Sequence, residues 1–121
     1  MKLGVIPENL AERLALWVGI PPPGIVESWL GIMATRAVMA ATKLGIFETL
    51  AAGPLSVQEI ATKCATHACA TEQLLNALIA MGCLTLKGDR YALPRKMRAW
   101  VLADGKYSFR HQILLRYLEW R

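Results

Sequence analysis

Four side chains of metal-ligating type stand close in the chain, Cys64, His67, Cys69 and Cys83. A Cys3His set is a known zinc coordination. The spacing C-x2-H-x-C is not a common ligand pattern, however, and free cysteine is a frequent core residue. The three cysteines are therefore read as buried or half-buried thiols, with no metal expected. No serine or cysteine stands in a nucleophile motif. The two histidines, His67 and His111, are far apart in the sequence, and a histidine acts as a general base only beside a positioned substrate. His111 reads as a surface or interface residue. Gly19, Gly24 and Gly31 lack the G-x-G-x-x-G spacing and follow no strand, so no phosphate-cradling loop is expected. No residue is assigned a catalytic, cofactor-binding or metal-binding role, and the chain is read as non-catalytic by itself.

The elements that would carry any site follow from hydrophobic periodicity. Pro7-Glu8 suits a helix start, and Leu10, Leu14, Trp17 and Val18 then recur at helical spacing opposite Asn9, Glu12 and Arg13. Gly19 and Pro21-Pro22-Pro23 end this arm and make a stiff linker. A helix that short is marginal alone and must dock. The longest helix is expected from Glu27 to about Leu44. Trp29, Leu30, Ile32, Met33, Val38 and Met39 surround it, and only Arg36 and Lys43 share a charged strip. A helix apolar on nearly every side is buried on nearly every side, and Ala34, Ala37 and Ala41 give a small-residue stripe for close approach.

Residues 44–93 then read as one module. Gly45 breaks the helix, and Ile46, Phe47 and Leu50 anchor a short turn before Gly53-Pro54. Ser56-Val57-Gln58-Glu59 is a capping box that opens a helix over 57–64. A polar turn is expected over 65–70. Thr71 is expected to cap a helix over 72–81, with Leu74, Leu75, Leu78 and Ile79 facing inward and Gly82 as its stop. Strands over 83–86 and 91–93 flank Lys87-Gly88-Asp89-Arg90 and make a hairpin. After Pro94, helices are expected over 95–102 and 106–120, the last with Phe109, Ile113, Leu114, Tyr117 and Leu118 on one face. Helix, two short helices and a hairpin make a mainly α chain of winged-helix type with flanking helices. The expected division is an arm and linker over 1–24, the winged helix over 25–103 and a C-terminal helix over 104–121.

The composition bears on partners. The chain has 121 residues, 55% hydrophobic and 19% charged, against about 25% charged in ordinary globular domains. Apolar surface in excess of one core is expected to be covered by a partner. No run is long enough to span a membrane, which needs about 20 apolar residues. Glu8 and Glu12 stand where a signal peptide would be apolar, and an odd cysteine count argues for reduced thiols. A cytoplasmic protein is expected. The interface of a homodimer is assigned to Leu10, Leu14 and Trp17 on the arm, Trp29, Met33 and Ala37 on the long helix, and Ile113, Tyr117 and Trp120 on the last. A charge at Trp29 is expected to leave the chain insoluble or unfolded.

A stand-alone DNA-binding regulator is the alternative, since the second helix of such a module can enter the major groove. Here that helix offers Glu72, Gln73 and Asn76 without a cation, whereas DNA affinity rests on phosphate neutralisation. Net charge is +5, with Lys87, Arg90, Arg95, Lys96 and Arg98 clustered beyond it. Nucleic acid is not an expected partner.

The runs A-T-K-L-G-I-F-E-T-L, P-L-S-V-Q-E-I-A, T-E-Q-L-L-N-A-L-I-A-M-G-C-L and Y-A-L-P resemble the N-terminal domain of S-adenosylmethionine-dependent O-methyltransferases. That group includes plant small-molecule, acetylserotonin and polyketide-tailoring enzymes. The resemblance covers about residues 28–102 and rests on hydrophobic patterns. It implies a winged helix that dimerises through intertwined helices, with a separate Rossmann-like domain binding S-adenosylmethionine and supplying the catalytic base. A small-molecule substrate would belong to that longer parent, and residues 100–117 would form one wall of its pocket. The chain shows no counterpart of the cofactor loop or catalytic histidine. A cofactor site needs a glycine-rich turn after a parallel strand and an acid for the ribose. The acids Glu48, Glu59 and Glu72 read as solvated surface groups. The chain alone is expected neither to bind the cofactor nor to transfer its methyl group.

Overall fold

The structure is a computed structural model and describes residues 6–19 and 23–120. The chain divides into two units, Met1–Thr35 and Arg36–Arg121. In the first, α1 spans Leu10–Val18. Its start lies beyond Pro7, at Asn9, whose side chain accepts the Glu12 N–H at 2.8 Å while Glu12 Oε2 accepts the Glu8 N–H at 2.8 Å. An amide oxygen satisfies an orphan N–H of the first turn, which proline has no acceptor to do. Helix α2 spans Pro23–Leu44 and so starts before Glu27. Its first residue is the last proline of the triplet, which suits the first turn. The remaining prolines of the expected linker, Pro21 and Pro22, lie outside the described residues.

The second unit holds the C-terminal part of α2 and then α3 (Ile46–Leu50), α4 (Val57–Cys64), α5 (Ala68–Ala80), β1 (Thr85–Lys87), β2 (Arg90–Ala92), α6 (Arg95–Val101) and α7 (Arg110–Glu119). Gly45, at φ +78°, reverses the chain between α2 and α3, a backbone state that side-chain-bearing residues resist. The short α3 then buries Ile46, Phe47 and Leu50 almost completely. They join Ala41, Ile60, Leu75, Leu78, Leu84, Tyr91, Leu93 and Val101 in one core. Burying each of the large ones contributes about 1.5–3 kcal/mol.

The capping box on α4 forms as expected, with Glu59 N donating to Ser56 Oγ at 3.3 Å and Ser56 N donating to Glu59 Oε2 at 2.9 Å. Helix α5 differs. It begins at Ala68, with His67 at its cap, and Thr71 lies inside it, buried. Ala65 takes the left-handed conformation at φ 53° and turns the chain at once, so alanines 68 and 70, good helix formers, extend the helix backwards. Thr71 Oγ1 donates to the His67 carbonyl and meets Thr66 Oγ1 at 2.7 Å.

The hairpin is antiparallel, pairing Thr85 with Ala92, Leu86 with Tyr91 and Lys87 with Arg90 around Gly88-Asp89. Both strands are shifted relative to expectation, β1 later and β2 earlier. Cys83 and Leu84 are instead taken by the end of α5, their N–H groups donating to the Leu78 carbonyl. A third segment joins the hairpin where no strand was expected. Leu55 and Tyr91 exchange both backbone hydrogen bonds, at 3.0 and 2.8 Å. This bridge ties the loop before α4 to the wing and completes a mainly α winged helix.

Two substitutions report on this framework. Phe47→Ala should cost about 3–5 kcal/mol, seen in chemical denaturation as loss of most of the cooperative transition. Ala65→Gly should raise the unfolding free energy by at most about 1 kcal/mol, read as a higher denaturation midpoint, because it relieves the left-handed strain at the cost of glycine's chain entropy.

Candidate functional site

The described residues offer surfaces for recognition. No three His, Cys, Asp or Glu side chains among them gather closely enough to hold a metal ion. Cys64 Sγ lies 3.5 Å from Thr49 Oγ1, Cys69 is exposed, and Cys83 is half-buried. Burial pushes the Cys83 thiol up, which suits an inert packing residue. His67 caps α5 through its backbone, and His111 is exposed on α7.

The first surface is apolar. Leu10, Leu14 and Trp17 on α1 are exposed, Trp17 at 84%, and so are Trp29, at 69%, and Met33 on α2. Within one chain, Met39, Ala41 and Thr42 are the buried residues among those described on α2, so the burial expected on its other sides would have to come from a second subunit. Ala37, Ile113 and Tyr117 are half-buried and Trp120 is exposed. The α2 cations do not form a bare strip. Arg36 Nη1 donates to the Trp120 carbonyl at 3.2 Å, and Lys43 Nζ stands 4.3 Å from the centre of the Tyr117 ring.

The second surface is aromatic and was not legible as a cluster. Trp100 stacks on Phe109 at 5.4 Å and tilts against Tyr107 at 5.2 Å. All three rings are about half exposed. Residues at 100, 107 and 109 cannot share a helix face. They meet because residues 102–109 fold back as a loop instead of continuing the expected helix from 106. Tyr107 N donates to the Ala99 carbonyl at 2.8 Å and Phe109 N to the Trp100 carbonyl at 2.7 Å. Gly105 permits this return: a Cβ there would lie 2.6 Å from the Ala99 carbonyl oxygen. Glu48, expected to be merely solvated, accepts the Ala103 N–H at 2.7 Å and faces Arg110 Nε at 3.7 Å.

The third surface is the wing with α5. Arg90 Nη1 lies 3.2 Å from Glu59 Oε2 and 3.4 Å from the Pro54 carbonyl. Arg98 donates to the Ala51 carbonyl at 2.7 Å. Two members of the basic cluster are thus turned onto the protein itself. Asn76, on the helix that would read DNA, accepts from the Tyr91 hydroxyl at 2.9 Å. Burial, with the Glu72 charge adding, pushes the Tyr91 phenol up. The backbone N–H of Ser56 holds the Glu59 carboxyl below its usual value, and Arg90 acts in the same direction.

A family model described as the O-methyltransferase dimerisation domain matches residues 26–101. The human protein described as a probable bifunctional dTTP/UTP pyrophosphatase/methyltransferase protein is 31% identical over 88 residues, 72% of this chain and 14% of its own length. Among solved structures, PigF with SAH is 31% identical at TM-score 0.71, covering 79% of this chain and 28% of its own. An O-methyltransferase family 2 protein from Planctomyces limnophilus, in complex with apigenin, is 27% identical at TM-score 0.69, covering 78% and 30%. The chain therefore spans less than a third of these relatives.

Gly105→Ala should push the 102–109 loop off α6, costing about 1–3 kcal/mol and changing Trp100 fluorescence; an unchanged spectrum and midpoint would show that the close approach is dispensable. Glu59 has its own pH signature. Its lowered pKa means that it stabilises the fold above its ordinary value of 4.5 and loses this as pH falls through the lower folded value. The gap in urea midpoint between the wild type and Glu59→Gln should be present at neutral pH and close in acid.

Proposed function

Because the chain belongs to the O-methyltransferase dimerisation-domain family, we propose that it pairs with a second copy of itself to assemble a longer S-adenosylmethionine-dependent O-methyltransferase. The observation that carries this reading is the exposure of large apolar side chains on α1 and the N-terminal half of α2, Trp17 and Trp29 foremost. Such a surface costs solubility unless covered. The interface comprises Leu10, Leu14, Trp17, Trp29, Met33 and Ala37, with Ile113, Tyr117 and Trp120 from α7. An obligate interface of this type buries more than about 2,000 Å². The small alanine lets a second helix approach, and the tryptophans supply the area.

Catalysis and S-adenosylmethionine binding belong to the rest of the parent enzyme. This chain contributes a substrate-facing wall, for which the half-exposed rings of Trp100, Tyr107 and Phe109 are suited. They offer stacking faces to a planar small molecule, and the apigenin complex of the Planctomyces relative fits that chemistry. The three unpaired thiols suit a cytoplasmic setting, and no described helix is long and apolar enough to cross a membrane. Nothing favours a stand-alone DNA-binding regulator: the α5 surface carries Glu72, Gln73 and a tethered Asn76, and Arg90 is paired.

Sedimentation should give a dimer at micromolar concentration, and a monodisperse monomer would overturn the reading. Trp29 lies outside the core of the single chain, so Trp29→Glu should give a folded, helical monomer, with dissociation raised at least about 100-fold by a buried unpaired charge. Titration calorimetry of this chain with S-adenosylmethionine should show no binding, and duplex DNA should show no steep salt-dependent association.

A further inference from the structure

Helix α1 is capped at both ends and buries nothing. The Asn9 side chain accepts the Glu12 N–H at its start, and Gly19, at φ +74°, closes it with its N–H on the Ala15 and Leu16 carbonyls. These caps fix its length at nine residues, none of them buried. A helix shorter than about 12–15 residues is marginal in water even with a favourable sequence, and caps recover only part of the cost of nucleating it.

Helix α2 changes character along its length. Its C-terminal part is anchored by the buried Met39, Ala41 and Thr42. Before Met39 no described residue is buried, and Ile25, Trp29, Leu30, Ile32 and Met33 are exposed. The same stretch is a poor helix former. Ile25, Val26 and Ile32 are β-branched and Gly31 is interior. Ser28 and Thr35 turn their hydroxyls back onto the Gly24 and Gly31 carbonyls, at 2.6 and 2.7 Å, a contact that slightly destabilises a helix. The boundary between the two units falls at Thr35, just before Val38 packs against the core. The described residues ahead of that boundary thus have exposed apolar area and no core of their own.

We propose that α1 and the part of α2 before Val38 become helical only as two copies of the chain pair, so that dimerisation and the folding of these segments are one event. The inference rests on the pairing proposed above and adds what controls it. In the separated protomer the second unit keeps its core while the helices ahead of Val38 are lost. The area buried on pairing must then offset the ordering of these residues. Dimer strength is set by the helix propensity of positions that touch no partner as well as by the contacts themselves.

Substitutions of the full chain that change propensity without changing the apolar face test this. Ala15 is exposed on α1, and helical spacing puts it on the side away from Leu10, Leu14 and Trp17. Ala15→Gly lowers helix propensity by about fivefold in the folding equilibrium, once in each protomer, so sedimentation should show the dissociation constant raised about 25-fold. Ala77→Gly, at an exposed site inside α5, makes the same change in a helix that the separated protomer keeps, and should leave the dissociation constant unchanged. Hydrogen exchange of the Trp29→Glu monomer gives the second readout: amides 13–18 should exchange as in an unstructured chain while those of α5 stay protected. If that variant is insoluble, the wild type diluted below its dissociation constant is read in the same way. An unchanged dissociation constant in Ala15→Gly, an equal shift in Ala77→Gly, protected 13–18 amides in the monomer, or loss of α5 protection along with them would each overturn the coupling and leave the dimer standing. A wild type that sediments as a monomer at every concentration would instead remove the dimer, and the coupling with it.

Discussion

Everything in the second unit depends on burying α3. A five-residue helix has no stability of its own, because nucleation costs more than one turn returns. Ile46, Phe47 and Leu50 form it only because α4, α5 and the wing close over them. That burial sets where α2 must end, since Gly45 has to reverse the chain immediately before it. It also sets the outward aim of Glu48, from which the carboxylate reaches Ala103 and Arg110. One buried turn thus positions both the winged module and the segment that follows α6.

Polar groups are then used to lock rather than to react. The Leu55–Tyr91 bridge, the Tyr91–Asn76 hydrogen bond and the Arg90–Glu59 pair join the loop before α4, the helix α5 and the hairpin to one another. The exposed ion pair adds little energy by itself. The surfaces proposed for recognition are apolar or aromatic, and they lie on α1, α2 and the α6–α7 connection.

Much of this was legible in the sequence. The capping box at Ser56 and Glu59 placed α4 to the residue, because both partners and the backbone they satisfy are local. The core positions of α3 and α5 followed from spacing, as did the Gly88-Asp89 turn. The start of α5 was misplaced because a threonine can cap a helix or hide inside one, and only the neighbouring Thr66 decides which. The start of α2 was misplaced because the proline that ends one segment can also open the next.

Sequence alone determined the identity of the helices, the winged-helix order and the excess of apolar surface, since these rest on periodicity, caps and composition within a few residues. It also carried the resemblance that residues 26–101 bear out. Tertiary structure decided what depends on groups distant in the chain. Residues 106–109 belong to the loop and not to the last helix because backbone carbonyls of α6 take the N–H donors of Tyr107 and Phe109. Arg36 and Lys43 seat a helix some eighty positions on instead of facing water. Trp100, Tyr107 and Phe109 become one surface only after that loop has turned. Periodicity cannot report such pairings, because the energy that selects them comes from partners the local pattern does not contain.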